Sequence, residues 1–139
     1  MALEHQFAVI SKNSKKIYIS HDMEMVCVPD YFIQYIWDSL QWICSEWNGG
    51  TQKKGLSYYG FSVIKGQEIN KLMCIIRQWR ELLQLATDEF YLTGNFLPDE
   101  NKYEKIQLAK HDLLGVLNSW EYLCKSAIEK EGKVLHNGI

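Results

Sequence analysis

One stretch carries the clearest alternation of hydrophobic and polar positions. From Gly55 to Gly94 the chain reads GLSYYGFSVIKG, then QEINKLMCIIRQWRELLQLA, then TDEFYLTG. Ile69, Leu72, Met73, Ile76, Trp79, Leu83 and Ala86 recur along one side, and Asn70, Lys71, Arg77, Gln78, Glu81 and Gln84 make up most of the other. That period predicts an amphipathic helix. The segments on either side, Leu56–Ile64 and Phe90–Thr93, are rich in β-branched and aromatic residues and predict strands. Gly60 marks a bulge or a close backbone approach, and Gly94 ends the second strand. Strand, helix and strand form the unit on which the rest is expected to pack.

Upstream, Gln6–Ser11 and Lys16–Ser20 are short and partly alternating, with the polar Lys12–Lys15 between them, which predicts a β-hairpin. Lys12, Lys15 and Lys16 at its tip are a solvated turn or a phosphate contact. After the brief apolar run Met25–Val28, Pro29-Asp30 suits a helix start, expected to run to about Trp47. Phe32, Ile36, Leu40, Ile43 and Trp47 form its stripe, with Ile33, Trp37 and Cys44 beside it. Tyr35, Ser39, Trp42 and Glu46 lie on another side. There the two aromatics either widen the core or meet a partner, because Trp and Tyr dominate interface hot spots. Asn48-Gly49-Gly50 would end this helix, with a loop following.

Downstream, Asn95–Glu100 reads as a loop. Ile106, Ala109, Leu113, Val116, Trp120, Leu123 and Ala127 then alternate three and four apart, predicting a helix from about Glu100 to Glu131. Gly115 is a candidate kink within it and Gly132 a good stop. The last residues, KVLHNGI, would add an edge strand. The expected architecture is α+β, a small mixed or antiparallel sheet packed with about three main helices, in a single domain over residues 1–139.

Composition narrows the classes. A chain of 139 residues buries roughly 70% of its unfolded surface, enough for a core without staples. With 47% hydrophobic and 23% charged residues the chain is globular rather than disordered. A net charge of −2 argues against direct nucleic-acid binding, which needs concentrated positive charge. The start, MALEHQFAVISKNSKK, does not read as a signal peptide, because its apolar run is short and carries His5 and Gln6. No apolar run reaches the length that spans a bilayer. A cytosolic protein is expected, with Cys27, Cys44, Cys74 and Cys124 as reduced, buried thiols.

Chemistry is harder to find. No Cys-x-x-Cys, His-Glu-x-x-His, Gly-x-Ser-x-Gly or Gly-rich phosphate loop occurs, so neither a metal nor a cofactor is expected. His21-Asp22 and His111-Asp112 are sequence neighbours, and neighbours rarely aim at one atom. Cys74, among Met73, Ile75 and Ile76, reads as packing rather than a nucleophile. Asp22 and Glu24, Asp88 and Glu89, and Asp99, Glu100 and Glu104 are acidic clusters. They serve helix ends and solvation, or they dock a basic partner. An enzyme would need a site assembled from distant groups, such as Tyr58, Tyr59, His111 and Glu68.

The phrases SYYGFSVIKG, the helix with Trp79, FYLTG, the helix with Trp120 and the terminal VLHNGI resemble small immunity proteins of bacterial contact-dependent growth inhibition systems. The resemblance is one of layout and short phrases, from about Gly55 to the C-terminus. It implies a cytosolic, non-catalytic protein that binds the C-terminal toxin domain of a cognate effector one to one and blocks its active or functional surface. Many such toxins are nucleases, with basic surfaces that an acidic partner fits. The resemblance assigns no binding residues. Charge and aromatic placement nominate Asp22, Glu24, Tyr35, Trp42, Glu46, Asp99, Glu100 and Glu104 for the partner. The competing expectations are a small enzyme and a regulatory subunit with an unrelated partner.

Overall fold

The computed structural model describes residues 3–139. In chain order its elements are β1 (Glu4–Ile10), β2 (Met25–Pro29), α1 (Asp30–Tyr35), α2 (Trp37–Leu40), β3 (Cys44–Trp47), β4 (Thr51–Lys54), β5 (Phe61–Ile64), α3 (Gln67–Leu83), β6 (Glu89–Leu97), β7 (Lys102–Ala109), α4 (Lys110–Glu129) and β8 (Lys133–Asn137). Six strands form one sheet in the order β2-β1-β8-β5-β3-β4, with every neighbouring pair antiparallel. β6 and β7 form a separate hairpin. The fold is α+β with an antiparallel sheet, as expected, and the four helices among the described residues are two long and two short.

The register shows which face each row serves. Phe7, His136 and Ser62 stand in line across β1, β8 and β5, and Val9, Val134 and Ile64 form the next row on the same side. The Phe7 ring lies 4.6 Å from that of Trp120, so α4 covers this face. α3 packs against α4, and Leu72 and Ile76 share one core with Leu117 and Leu123. Glu121 clamps the pair, with Oε1 accepting from Arg77 Nε at 2.8 Å and Oε2 accepting from Arg80 Nη1. On the other face Ala8 and Leu135 are also buried. The connection between β1 and β2 lies over that side: Lys133 Nζ donates to the Ser14 carbonyl at 3.0 Å, and Ile17 lines a cavity with Phe61 and Val63.

Several expectations give way to tertiary pairing. Lys16–Ser20 is not a strand, because both edges of β1 are taken, one by Met25–Pro29 and the other by β8. The helix expected over Asp30–Trp47 ends at Leu40. Ile43, Ser45 and Trp47 also alternate, and Glu46 and Trp47 pair with Val63 and Ser62. Asn48-Gly49-Gly50 is therefore a hairpin turn, with φ of 45°, 100° and 140°, and the expected loop is an edge strand carrying Lys53 and Lys54. Lysines on an edge discourage pairing with other chains.

The expected strand Leu56–Ile64 shortens to β5, and Gly60 lies just before it, where a Cβ would meet the side chains of Asn48 and Ser57 rather than another stretch of backbone. Gly94 does not end its strand, which continues to Leu97 through an irregularity between Thr93 and Phe96. The helix expected from Glu100 starts only at Lys110. In β7 Ile106 and Leu108 face inward at period two, and Ile106, Ala109 and Leu113 fit a helical spacing by coincidence. Gly115 lies inside α4 with open space beside it. KVLHNGI does supply a strand, but β8 sits in the interior of the sheet rather than at its edge. Only Cys124 of the four thiols is buried, and Cys74 faces solvent.

Core truncation checks this account. Leu117→Ala should lower the unfolding free energy by about 3 kcal/mol, because Leu117 is fully buried. Leu85→Ala, at a residue 84% exposed, should change it by less than about 0.5 kcal/mol. Urea denaturation of the two variants measures the difference, and equal losses would contradict the packing described.

Candidate functional site

The row that carries Phe7 also carries histidines. His5 precedes Phe7 by two residues on the same face of β1, and His136 pairs with Phe7 from β8. Both imidazoles are fully buried. His5 Nδ1 lies 2.9 Å from His136 Nε2, and His5 Nε2 lies 2.9 Å from Asp30 Oδ1. Asp30 is the first residue of α1, and its backbone N–H donates to the Leu3 carbonyl at 3.0 Å. The Tyr58 hydroxyl also donates to Oδ1, and Gln34 Nε2 donates to Oδ2 at 2.7 Å. At the far end His136 Nδ1 lies 3.4 Å from Ser62 Oγ, which accepts from the Ser57 N–H at 2.7 Å.

One assignment of protons satisfies the whole chain. An ionised Asp30 accepts from His5 Nε2–H, which leaves His5 Nδ1 as an acceptor. His136 must then donate from Nε2–H, so its Nδ1 accepts the Ser62 hydroxyl proton. Both imidazoles are neutral and all the hydrogen bonds run toward Asp30. Burial would raise the Asp30 carboxyl, but the hydrogen bonds from Tyr58, His5 and Gln34 outweigh it and hold it below the usual range. Burial lowers His5, only partly offset by the Asp30 hydrogen bond and charge. Burial, with a smaller contribution from His5, pushes His136 down to about 3. Burial and then the Asp30 bond push Tyr58 up to about 12. Such a carboxylate is a weak base, and Ser62 is fully buried.

Asp30 is where the network meets a concavity. A cavity of about 540 Å³ lies between α1 and the β6–β7 hairpin. Asp30, Tyr31, Gln34 and Tyr35 line it from α1, with Gly94, Asn95, Glu104 and Ile106 from the hairpin. Of the eight nominated partner residues, Tyr35 and Glu104 meet here. Tyr35 is 45% exposed and rests edge-on against Trp79 at 5.7 Å, and Trp42 is 66% exposed, so neither widens the core.

The other nominated residues lie elsewhere. Asp22 is exposed and accepts from Ser20 Oγ. Glu24 fastens the β1–β2 connection to α4, accepting from Ser126 Oγ at 2.8 Å and Lys130 Nζ at 3.2 Å. Glu46 pairs with Lys65. Asp99 and Glu100 sit at the tip of the hairpin rather than at a helix start, and Glu100 lies 2.9 Å from Lys102 Nζ.

The four groups named for an assembled enzyme site are held in different places. Tyr58 belongs to the buried network, Tyr59 is exposed, Glu68 accepts from the Cys44 N–H at 3.2 Å, and His111 is exposed at the start of α4. The cavity between α1 and the hairpin is lined by none of the four. Among the described residues no group of three His, Cys, Asp or Glu side chains is placed to hold a metal ion. No helix there is long and apolar enough to cross a membrane. No protein-family model, curated protein or solved structure matches the chain.

Sequence spacing could not reveal the network, since its two histidines are 131 residues apart. The available signal is strand alternation: His5 stands two residues before Phe7 and His136 two residues after Val134, each in phase with a buried apolar position.

The network makes the fold acid-sensitive. Both histidines have folded pKa values below the unfolded value of about 6.5. The unfolded chain therefore binds more protons as pH falls, and stability drops below about pH 6.5. His136 alone should cost about 2 kcal/mol by pH 5, given its folded value of about 3. Asp30, held low, adds a further loss below about pH 4. Urea unfolding at pH 7, 6 and 5 measures this, and a flat profile would show that the imidazoles are not buried neutral.

Proposed function

We propose that this chain is the immunity protein of a bacterial contact-dependent growth inhibition system, acting in the cytoplasm without chemistry of its own. It binds the C-terminal toxin domain of a cognate effector, a nuclease in this reading, and covers its active or functional surface. The observation that carries the reading is the concavity between α1 and the hairpin. Its lining includes Asp30 and Glu104 but no lysine, arginine or histidine, and Tyr35 is exposed at the same place. A surface that evolves to bind a polyanion is basic, and carboxylates with exposed aromatics complement it. The resemblance from Gly55 to the C-terminus supports the same reading.

The enzymatic alternative is less well supported by the buried network. Asp30 is the one network carboxylate that reaches the cavity, and three donors already stabilise its ionised form. That depresses its basicity, and a general base works best with a pKa near the operating pH.

Co-expression tests the reading. The C-terminal domain of a large secreted protein encoded immediately upstream should arrest growth when expressed alone, and this chain should restore growth. The purified pair should form a 1:1 complex by light scattering coupled to gel filtration. No rescue, together with no association at micromolar concentration, would overturn it.

A further inference from the structure

We infer that the concavity between α1 and the β6–β7 hairpin seats an arginine side chain of the protein partner, with Glu104 as its principal counter-ion. This deepens the reading of the chain as a toxin-binding protein and rests on it. Glu104 is the unspent group. It is only partly exposed, and among the described residues it has no hydrogen-bond or ion-pair partner. Gly94 lies opposite it, and a Cβ there would stand 2.4 Å from Glu104 Oε1, so the glycine leaves the carboxylate room to lie over the hairpin. A half-buried carboxylate without a partner is free to take a cation from a docking protein.

The second wall favours a guanidinium over other cations. Asp30 Oδ1 accepts from His5 and Tyr58, and Oδ2 accepts from Gln34 alone. A carboxylate offers about four acceptor positions, so Oδ2 keeps one for an incoming N–H. Asn95, Tyr31 and Tyr35 also line the cavity. A guanidinium carries five donors in a plane, stacks on aromatic faces and sheds water more readily than an ammonium. Thr93 also lines the cavity, and Lys105, which does not, is held on Thr93 Oγ1 at 2.6 Å rather than on Glu104.

The chemistry can be read without the toxin. The probe is acetyl-Gly-Arg-Gly-amide, titrated at low ionic strength into the 15N-labelled full chain. Its control is the same peptide with citrulline, which keeps the shape and loses the charge. The arginine peptide should shift the amides of Gln34, Tyr35, Gly94 and Asn95 saturably, in the millimolar range. Citrulline should bind at least about fivefold more weakly, and so should the arginine peptide with Glu104→Gln. Gly94→Ala keeps every charge but displaces the Glu104 carboxylate, and it should weaken binding as well. Thermal melts of both variants confirm that they fold. Equal responses to arginine and citrulline, no effect of Glu104→Gln, or shifts confined to Asp99 and Glu100 would each overturn the inference.

The upstream toxin domain separates this inference from the reading it rests on. Glu104→Gln should weaken toxin binding at least about tenfold. If wild type and Glu104→Gln bind the toxin equally, the arginine seat falls and the immunity reading stands. If wild type takes the peptide but neither binds nor neutralises the toxin, the immunity reading falls and the cation-binding site stands.

Discussion

The hydrogen-bonded line from Ser62 through His136 and His5 to Asp30 is the constraint on which the rest of this molecule depends. It removes two imidazoles and a carboxylate from water, which is favourable only when each polar atom keeps a partner. Here each does, with Tyr58 and Gln34 completing the shell of Asp30. The line ties β1 to β8 inside the sheet, pins α1 at its first residue and holds the approach to β5. Two histidines 131 residues apart thereby fix the first and last strands to each other. The apolar core of Phe7, Trp120, Leu117 and Ile76 supplies the bulk of the driving force. The polar line selects one register for it, since a one-residue slip of β8 would turn His136 to the opposite face.

The same line sets the electrical character of the neighbouring surface. Its proton arrangement leaves Asp30 ionised and both histidines neutral, so no cation is present to balance the carboxylate. The charge of Asp30 remains at the edge of the cavity, and Glu104 adds to it from the hairpin. The polar groups of the line are occupied with one another. Beside them the cavity presents Glu104 and the exposed Tyr35.

Much of this could be read in the sequence where one period stood alone. α3 and the later part of α4 repeat their apolar positions over several turns, and both form as expected. The errors came where two periods overlapped. Ile43 and Trp47 satisfy a helical stripe and also a strand alternation, and pairing with β5 decides for the strand. Ile106 and Leu108 do the same in β7, where β6 decides. Lys16–Ser20 has strand composition but no free edge to join. The site was less legible than the fold. Tyr35 and Glu104, nominated from charge and aromaticity, do line one cavity, the first from α1 and the second from the hairpin. His5, Asp30 and His136 are brought together only by the sheet, and no local spacing encodes that.

The claim at the centre of this account is the protonation of the network, and side-chain 15N NMR of the histidines tests it most directly. At pH 6 His5 and His136 should both be neutral and both carry the proton on Nε2, with the Nδ1 atoms showing the shifts of unprotonated acceptors. An imidazolium on either residue at that pH, or a proton on Nδ1 of a neutral His136, would contradict it.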